Sequence, residues 1–178
     1  MRELLHRFDA IVGHTITGLP AWFHPFFIAI TTLGHPIITL LIGFSVAAWG
    51  YYQINWRLIA SGVVVWMTLG VGSIIKLFVE RARPATEYAA SLTLDTYSFP
   101  SGHTSGSTIA YGLLAYIAWH VLPAPWSYII IVFFAVLIFL IGISRIYLGA
   151  HFPSDVVAGW LLGGCALGLV IWVIRPFI

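Results

Sequence analysis

The chain has 178 residues, of which 60% are hydrophobic and 16% aromatic, and only 8% carry charge. That charged share is about a third of what a soluble domain carries, which excludes an ordinary water-soluble fold and indicates a membrane protein. A formal charge of +2, without any basic run, excludes a nucleic-acid-binding surface.

In chain order, residues 1–19 set Arg2, Glu3, His6, Arg7 and Asp9 among Leu4, Leu5, Phe8, Ile11, Val12 and Ile16. This is the pattern of a helix lying in the membrane interface, not of a span, and no cleavable signal pattern precedes the first span. Residues 20–35 begin with Pro20, contain Trp22, Phe23, His24 and Pro25, and end in LGHP. These breakers leave a short apolar piece that reads as a half-helix or a sixth, tilted crossing.

Apolar runs then follow at 36–53, 58–79, 104–121, 126–144 and 156–174, each near the length that crosses a hydrocarbon core of about 30 Å. Backbone polar groups in lipid must be paired within the segment, so the runs are expected to be helices, and no period-2 pattern points to a barrel. The expected architecture is an all-α transmembrane bundle of five spans, or six. It forms a single domain over 1–178, with 1–35 as its N-terminal region and 36–175 as the catalytic bundle. The single cysteine, Cys165, lies inside the last run and excludes an intrachain disulfide.

Short turns at 51–57 and 121–126 join neighbouring spans, whereas 80–103, with Glu80, Arg81, Arg83, Glu87 and Asp95, and 145–155 hold most of the charge. Counting crossings places these two charged connections on the same side of the membrane. The last run carries Gly159, Gly163, Gly164 and Gly168, two four-residue spacings that read as close helix packing.

Three segments carry chemistry. In KLFVERARP, Lys76, Glu80 and Arg83 share one face of a continuing helix that Pro84 ends, either as a helical ion pair or as two cations that clamp an anion. Arg81 points off that face toward solvent. In YSFPSGHTSGST, Pro100 and Gly102 make a turn, Ser101 is the expected N-cap, and the helix N-terminus that follows favours a phosphate. His103 stands in that first turn.

In SRIYLGAHFPSD, Arg145 follows a very apolar span, where a charge needs a partner or a task. His151 precedes Asp155 by four residues, so the carboxylate can reach back to accept Nδ1–H and leave Nε2 as an oriented nucleophile. A loop ion pair or a metal pair is the competing reading. The metal is disfavoured because the chain has only six acidic residues, of which Asp155 alone has ligand-like spacing to a histidine. Three cations, a helix N-terminus and two histidines on one face suit a phosphoryl group.

The three segments read KxxxxxxRP, PSGH and SRxxxxxHxxxD, in that order and at span ends. Together they closely resemble the tripartite signature of the type 2 phosphatidic acid phosphatase superfamily, over roughly residues 35–175. The resemblance implies that His151 attacks phosphorus to give a phosphohistidine, that Asp155 orients it, and that His103 protonates the leaving oxygen. It further implies that Lys76, Arg83, Ser101, Gly102 and Arg145 bind the phosphate and that no metal or cofactor takes part. Integral members usually have six spans.

The implied activity is removal of a terminal phosphate from a membrane lipid phosphate or diphosphate, with undecaprenyl pyrophosphate and phosphatidylglycerophosphate preferred over phosphatidic acid and lipid A phosphate. Bacterial members generally work at the outer face of the cytoplasmic membrane. Lysine and arginine counting would turn the charged side inward, but Lys76, Arg83 and Arg145 are explained by phosphate. The alternative is a non-catalytic phospholipid-binding or transport protein that uses the same cations; the intact set of His103, His151 and Asp155 distinguishes the two. Oligomeric state is not legible in the sequence.

Overall fold

The computed structural model describes residues 2–92 and 97–174, so Asp95 lies outside the described residues. The described residues are helical, without strands, in the order α1 Arg2–Thr17, a single 3-10 turn Ala21–Phe23, α2 His24–Leu33, α3 Pro36–Tyr52, α4 Trp56–Val79, α5 Glu87–Ser91, α6 Gly102–Val121, α7 Trp126–Tyr147 and α8 Pro153–Ile174.

The molecule is turned inside out relative to a soluble protein. Met67, Ile74, Leu77 and Phe78 of α4, Val132, Phe133 and Phe139 of α7, and Leu161, Leu169 and Trp172 of α8 are exposed. Thr104, Ser105 and Ser107 of α6 are completely buried. Exposed apolar belts of this kind are stable only against lipid. The buried hydroxyls stay paired within the helix, as when Ser107 and Thr108 donate to the carbonyl of Thr104 at 3.1 and 2.7 Å.

Among the described residues, four helical stretches are long and apolar enough to cross a bilayer: Ala21–Tyr52, Trp56–Val79, Trp126–Tyr147 and Pro153–Trp172. The remaining expected span, α6, has the length but not the apolarity, because glycine, serine, threonine and His103 make up most of its first half. It sits centrally, packed against α3, α4, α7 and α8. Its Ile109, Ala110 and Leu113 join Val46, Val65 and Val170 in the apolar core below the polar end.

Residues 20–35 do not make a crossing of their own. The half-helix α2 enters beside the end of α7, where Tyr147 donates its hydroxyl to the Pro20 carbonyl and packs its ring, tilted, against Phe27, and α3 continues to the far side. The break falls at Gly34 and His35, since Pro36 disfavours helical backbone at the residue before it and itself starts α3. Helix α1 lies against the ends of α7 and α8, with Leu4, Leu5, Phe8 and Ile11 exposed, as an interfacial helix requires. The N-terminal region therefore stands on the side of the two charged connections.

One expectation about the first charged connection is corrected. Helix α4 does not continue to Pro84; it stops at Val79, with Glu80 in the left-handed region at φ 51° and its N–H bonded to the Lys76 carbonyl. The connection also contains a short helix of its own, α5, capped by the Thr86 hydroxyl, which accepts from the Ala89 N–H at 3.0 Å.

Candidate active site

The second charged connection begins where α7 ends. Gly149 adopts φ 68°, a conformation that L side chains avoid, and turns the chain so that the N–H groups of Ala150 and His151 both donate to the Arg145 carbonyl, at 3.0 and 3.2 Å. From the other connection, the Thr86 hydroxyl donates to the Gly149 carbonyl at 2.9 Å and pins the turn. His151 is thereby held, almost completely buried, at the head of the loop that leads into α8.

Asp155 sits in the first turn of α8, fully buried. Its Oδ2 accepts the Phe152 N–H at 2.9 Å, the reach-back of a capping box, and faces His151 Nδ1 at 3.6 Å. That separation is just outside hydrogen-bond distance, so the expected Nδ1–H bond is replaced by a closely apposed pair. The tautomer is nevertheless defined from the other side. The Arg83 guanidinium, which can only donate, faces His151 Nε2 at 3.3 Å, so Nε2 carries the lone pair and Nδ1 the proton. Burial, with the charges of Arg145 and Arg83 acting in the same direction, holds the His151 imidazolium down to a pKa of about 4 against the pull of Asp155. The imidazole is neutral at physiological pH.

Around it stand the cations. Arg83 also donates to the Ala150 carbonyl at 3.1 Å, and its own pKa is lowered by burial while Asp155 opposes that shift. Lys76 donates to the carbonyls of Tyr97 and, more weakly, Ser98, at 2.7 and 3.4 Å, and not to Glu80, so of the two readings the helical ion pair does not form. Arg145 is only 1% exposed. It donates to the hydroxyls of Thr31 at 2.6 Å and Tyr88 at 3.3 Å, lies over the Tyr88 ring, and keeps a buried Nε without a partner among the described residues. Lys76 feels the charges of Arg83, Arg145 and Asp155, so the three cations form one electrostatic cluster.

The α6 end completes the site. Ser101 has the extended backbone of an N-cap, but its hydroxyl makes no capping bond; it accepts from the Thr104 hydroxyl at 3.0 Å, and its N–H donates to the Asp155 carbonyl at 3.0 Å. The first-turn N–H groups of α6 thus stay open beside Gly102. His103 feels Arg145, His151, His35 and Arg83, which places it within the cluster, and His35 meets its ring edge-on at 5.7 Å. The structure accordingly brings together Lys76, Arg83, Ser101, Gly102, His103, Arg145, His151 and Asp155.

Arg81 is the clear correction. It is not a solvated arginine: Nη1 donates to Asp155 Oδ1 and to the Ser154 hydroxyl, each at 2.7 Å, Nη2 donates to Asp9 Oδ2 at 2.6 Å, and the guanidinium covers the Phe152 ring at 4.2 Å. The helical-face argument missed this because the helix it relied on ends before Glu80. Asp9, Thr31, His35 and Tyr88 were missed with it; none belongs to a motif, and only folding brings them to the site. Beside Asp9 and Arg81 a cleft of about 680 Å³ opens between α1, α4 and α8, walled by Leu5, Phe8, Val79, Val157 and Leu161.

Relatives are readily recognised. The PAP2 superfamily profile matches residues 57–178. Phosphatidylglycerophosphatase B of Bacillus subtilis is 31% identical over 171 residues, 92% of this chain and 79% of that protein. An undecaprenyl-diphosphatase of Sulfolobus acidocaldarius is 37% identical over 99 residues, covering 52% of this chain and 43% of its own length. The crystal structure of a transmembrane PAP2-type phosphatidylglycerolphosphate phosphatase from Bacillus subtilis superposes with a TM-score of 0.82 at 26% identity, over 100% of this chain and 89% of the other. Aquifex aeolicus LpxE, at 22% identity and a TM-score of 0.64 over 92% and 94% of the two chains, shares the fold. With its three motifs gathered at one end of an all-helical membrane bundle, the chain belongs to the PAP2 superfamily, the type 2 phosphatidic acid phosphatases.

Proposed function

We propose that this protein is a multi-pass membrane lipid phosphatase that removes a terminal phosphate from a lipid phosphate or diphosphate through a phosphohistidine intermediate. Undecaprenyl pyrophosphate and phosphatidylglycerophosphate are the preferred substrates, in keeping with the activities for which the two relatives are named. The observation that carries the reading is a neutral His151, with its Nε2 lone pair turned toward Arg83, inside a cluster of cations. A transport or binding protein needs the cations but not the oriented imidazole.

A phosphoryl group takes the place that the Arg83 N–H now fills against Nε2, and it accepts from Arg83, Lys76, the orphaned Nε of Arg145, the Ser101 hydroxyl and the open N–H of Gly102. Nε2 of His151 attacks phosphorus, the bond to the lipid oxygen breaks, and His103 gives that oxygen its proton. Water then attacks the phosphohistidine, passes a proton back to His103 and releases inorganic phosphate. Asp155 faces the Nδ1–H side and stabilises the positive charge that the ring acquires.

Cations already supply the charge neutralisation that a metal would otherwise bring, so the reaction runs without one. The apolar cleft between α1, α4 and α8 offers the lipid tail a seat beside the polar end of the bundle. Residues 1–178 act as one domain, in the cytoplasmic membrane and with the site on its outer face.

The test is phosphate release in detergent from undecaprenyl pyrophosphate, phosphatidylglycerophosphate, phosphatidic acid and lipid A phosphate, with a soluble phosphomonoester as control. Wild type releases phosphate in EDTA, and His151→Ala abolishes release while the protein still elutes as a folded species. No release from any lipid, or turnover retained by His151→Ala, overturns the reading.

A further inference from the structure

We propose that Asp9 and Arg81 are positioning residues for the His151–Asp155 couple, which makes the interfacial helix α1 part of what holds the active site in register. The inference rests on the lipid phosphatase reading and adds to it two residues outside the three motif patterns. The two oxygens of Asp155 serve opposite partners: Oδ2 faces His151 Nδ1 and the Phe152 N–H, while Oδ1 accepts from Arg81 at 2.7 Å. Arg81 therefore stands behind the carboxylate, on the side away from the nucleophile. Its rotation about the carboxylate's axis is fixed by its other contacts, with the Ser154 hydroxyl, Asp9 Oδ2 and the face of Phe152.

Asp9 closes the arrangement from a different element. It is almost fully buried, and besides Arg81 it accepts the Ser154 N–H through Oδ1 and the Ser154 hydroxyl through Oδ2, each at 2.8 Å. The Ser154 N–H is one of the donors that α8 leaves unpaired at its N-terminus, so a carboxylate from α1 caps the helix that carries Asp155. The polar contacts thus form a continuous chain from α1 through Arg81 to Asp155 and on to His151. Arg81 lies between two buried carboxylates and ion-pairs with both, at 2.6 and 2.7 Å, so neither is left as an isolated buried charge. Arg81 does not belong to the phosphate-binding set: its Nη atoms are committed to Asp155, Asp9 and Ser154, whereas Arg145 Nε has no partner among the described residues.

The experiment compares wild type, Arg81→Met, Arg81→Lys and Asp9→Asn as full chains in detergent on the best lipid phosphate of the panel, with inorganic phosphate as a competitive inhibitor. Arg81→Met is expected to lower kcat by about ten- to a hundredfold, the range for losing a group that orients a reacting residue, with KM and the phosphate inhibition constant within twofold. Arg81→Lys, which can keep one carboxylate contact but not the fork, falls between Met and wild type, and Asp9→Asn lowers kcat less than Arg81→Met does. A purely structural role would instead reduce the folded fraction and leave kcat per phosphate-binding site unchanged.

Wild-type kcat in both Arg81→Lys and Asp9→Asn overturns the proposal, whether or not Arg81→Met folds. A rise in the phosphate inhibition constant that matches the loss of kcat also overturns it, since Arg81 would then be a phosphate ligand. Inactivity of the wild type on every lipid sinks the phosphatase reading itself and is thereby told apart from failure of the positioning role.

Discussion

Arg145 and His151 illustrate how burial divides the labour among side chains. Arg145 is a buried cation whose partners among the described residues are hydroxyls and a ring face, an arrangement that costs several kcal/mol until an anion arrives. His151 responds to the same surroundings in the opposite sense: burial first, then the Arg145 and Arg83 charges, keep it neutral down to about pH 4. The sign is that of a base whose protonated form is disfavoured, so lowering the pH from 6.5 toward 4 leaves the folded ring uncharged while an exposed histidine takes up its proton. Histidine-labelled protein followed by 15N NMR in detergent should show the His151 midpoint near 4. Replacing Arg83 by Met removes a like charge and should raise that midpoint by about one unit. A midpoint near 6.5 in wild type, or no movement in the variant, would contradict this account.

At the scale of elements, the distance between the first turns of α6 and α8 sets the site, because one carries Ser101, Gly102 and His103 and the other Asp155. Gly159 and Gly163 hold it: a Cβ on Gly159 would lie 2.8 Å from the Ser101 carbonyl, and one on Gly163 2.6 Å from the Ser105 carbonyl. Gly164 and Gly168 meet nothing within 4 Å, so only one of the two spacings seen in the sequence is a packing device. Gly163→Ala should push α8 off α6, cost about 1–3 kcal/mol of stability and lower turnover, whereas Gly164→Ala should leave both unchanged; melting curves and phosphate release check this, and equal effects would refute it. The Gly159–Gly163 pair, four of the five spans and the spacing of the eight motif residues were legible because each depends on the pattern within one segment. The end of α4 was not, since Glu80 in a left-handed conformation breaks a face that periodicity alone would carry on to Arg83. Arg81 became misread for that reason, and Asp9 and Thr31 could not be found, because their partners lie 72 to 145 residues and 114 residues away in sequence.

For the whole molecule, the connections fix which ends share a side. The Arg81 contacts with Asp9 and Asp155, the Arg145 contacts with Thr31 and Tyr88 and the Tyr147 contact with Pro20 gather α1, α2, the stretch after α4, α5 and the head of α8 around the site. The α3–α4 turn at Gln53 and the α6–α7 turn at Pro123 lie at the other end of the bundle, one helix length away, or about 30 Å for a 20-residue helix. Residues 20–35 therefore add a half-helix and no extra crossing, which reverses the side on which residues 1–19 would stand had they been followed by a complete sixth span. Single cysteines at His6, Glu87 and Gln53 in a Cys165→Ser background give a direct reading, since all three native side chains are exposed. In intact cells, with the site on the outer face, an impermeant maleimide should label the His6 and Glu87 positions alike and reach the Gln53 position only after the membrane is opened. Labelling of Gln53 alone would turn the site inward while leaving the fold intact, and labelling of His6 and Glu87 from opposite sides would overturn the topology itself.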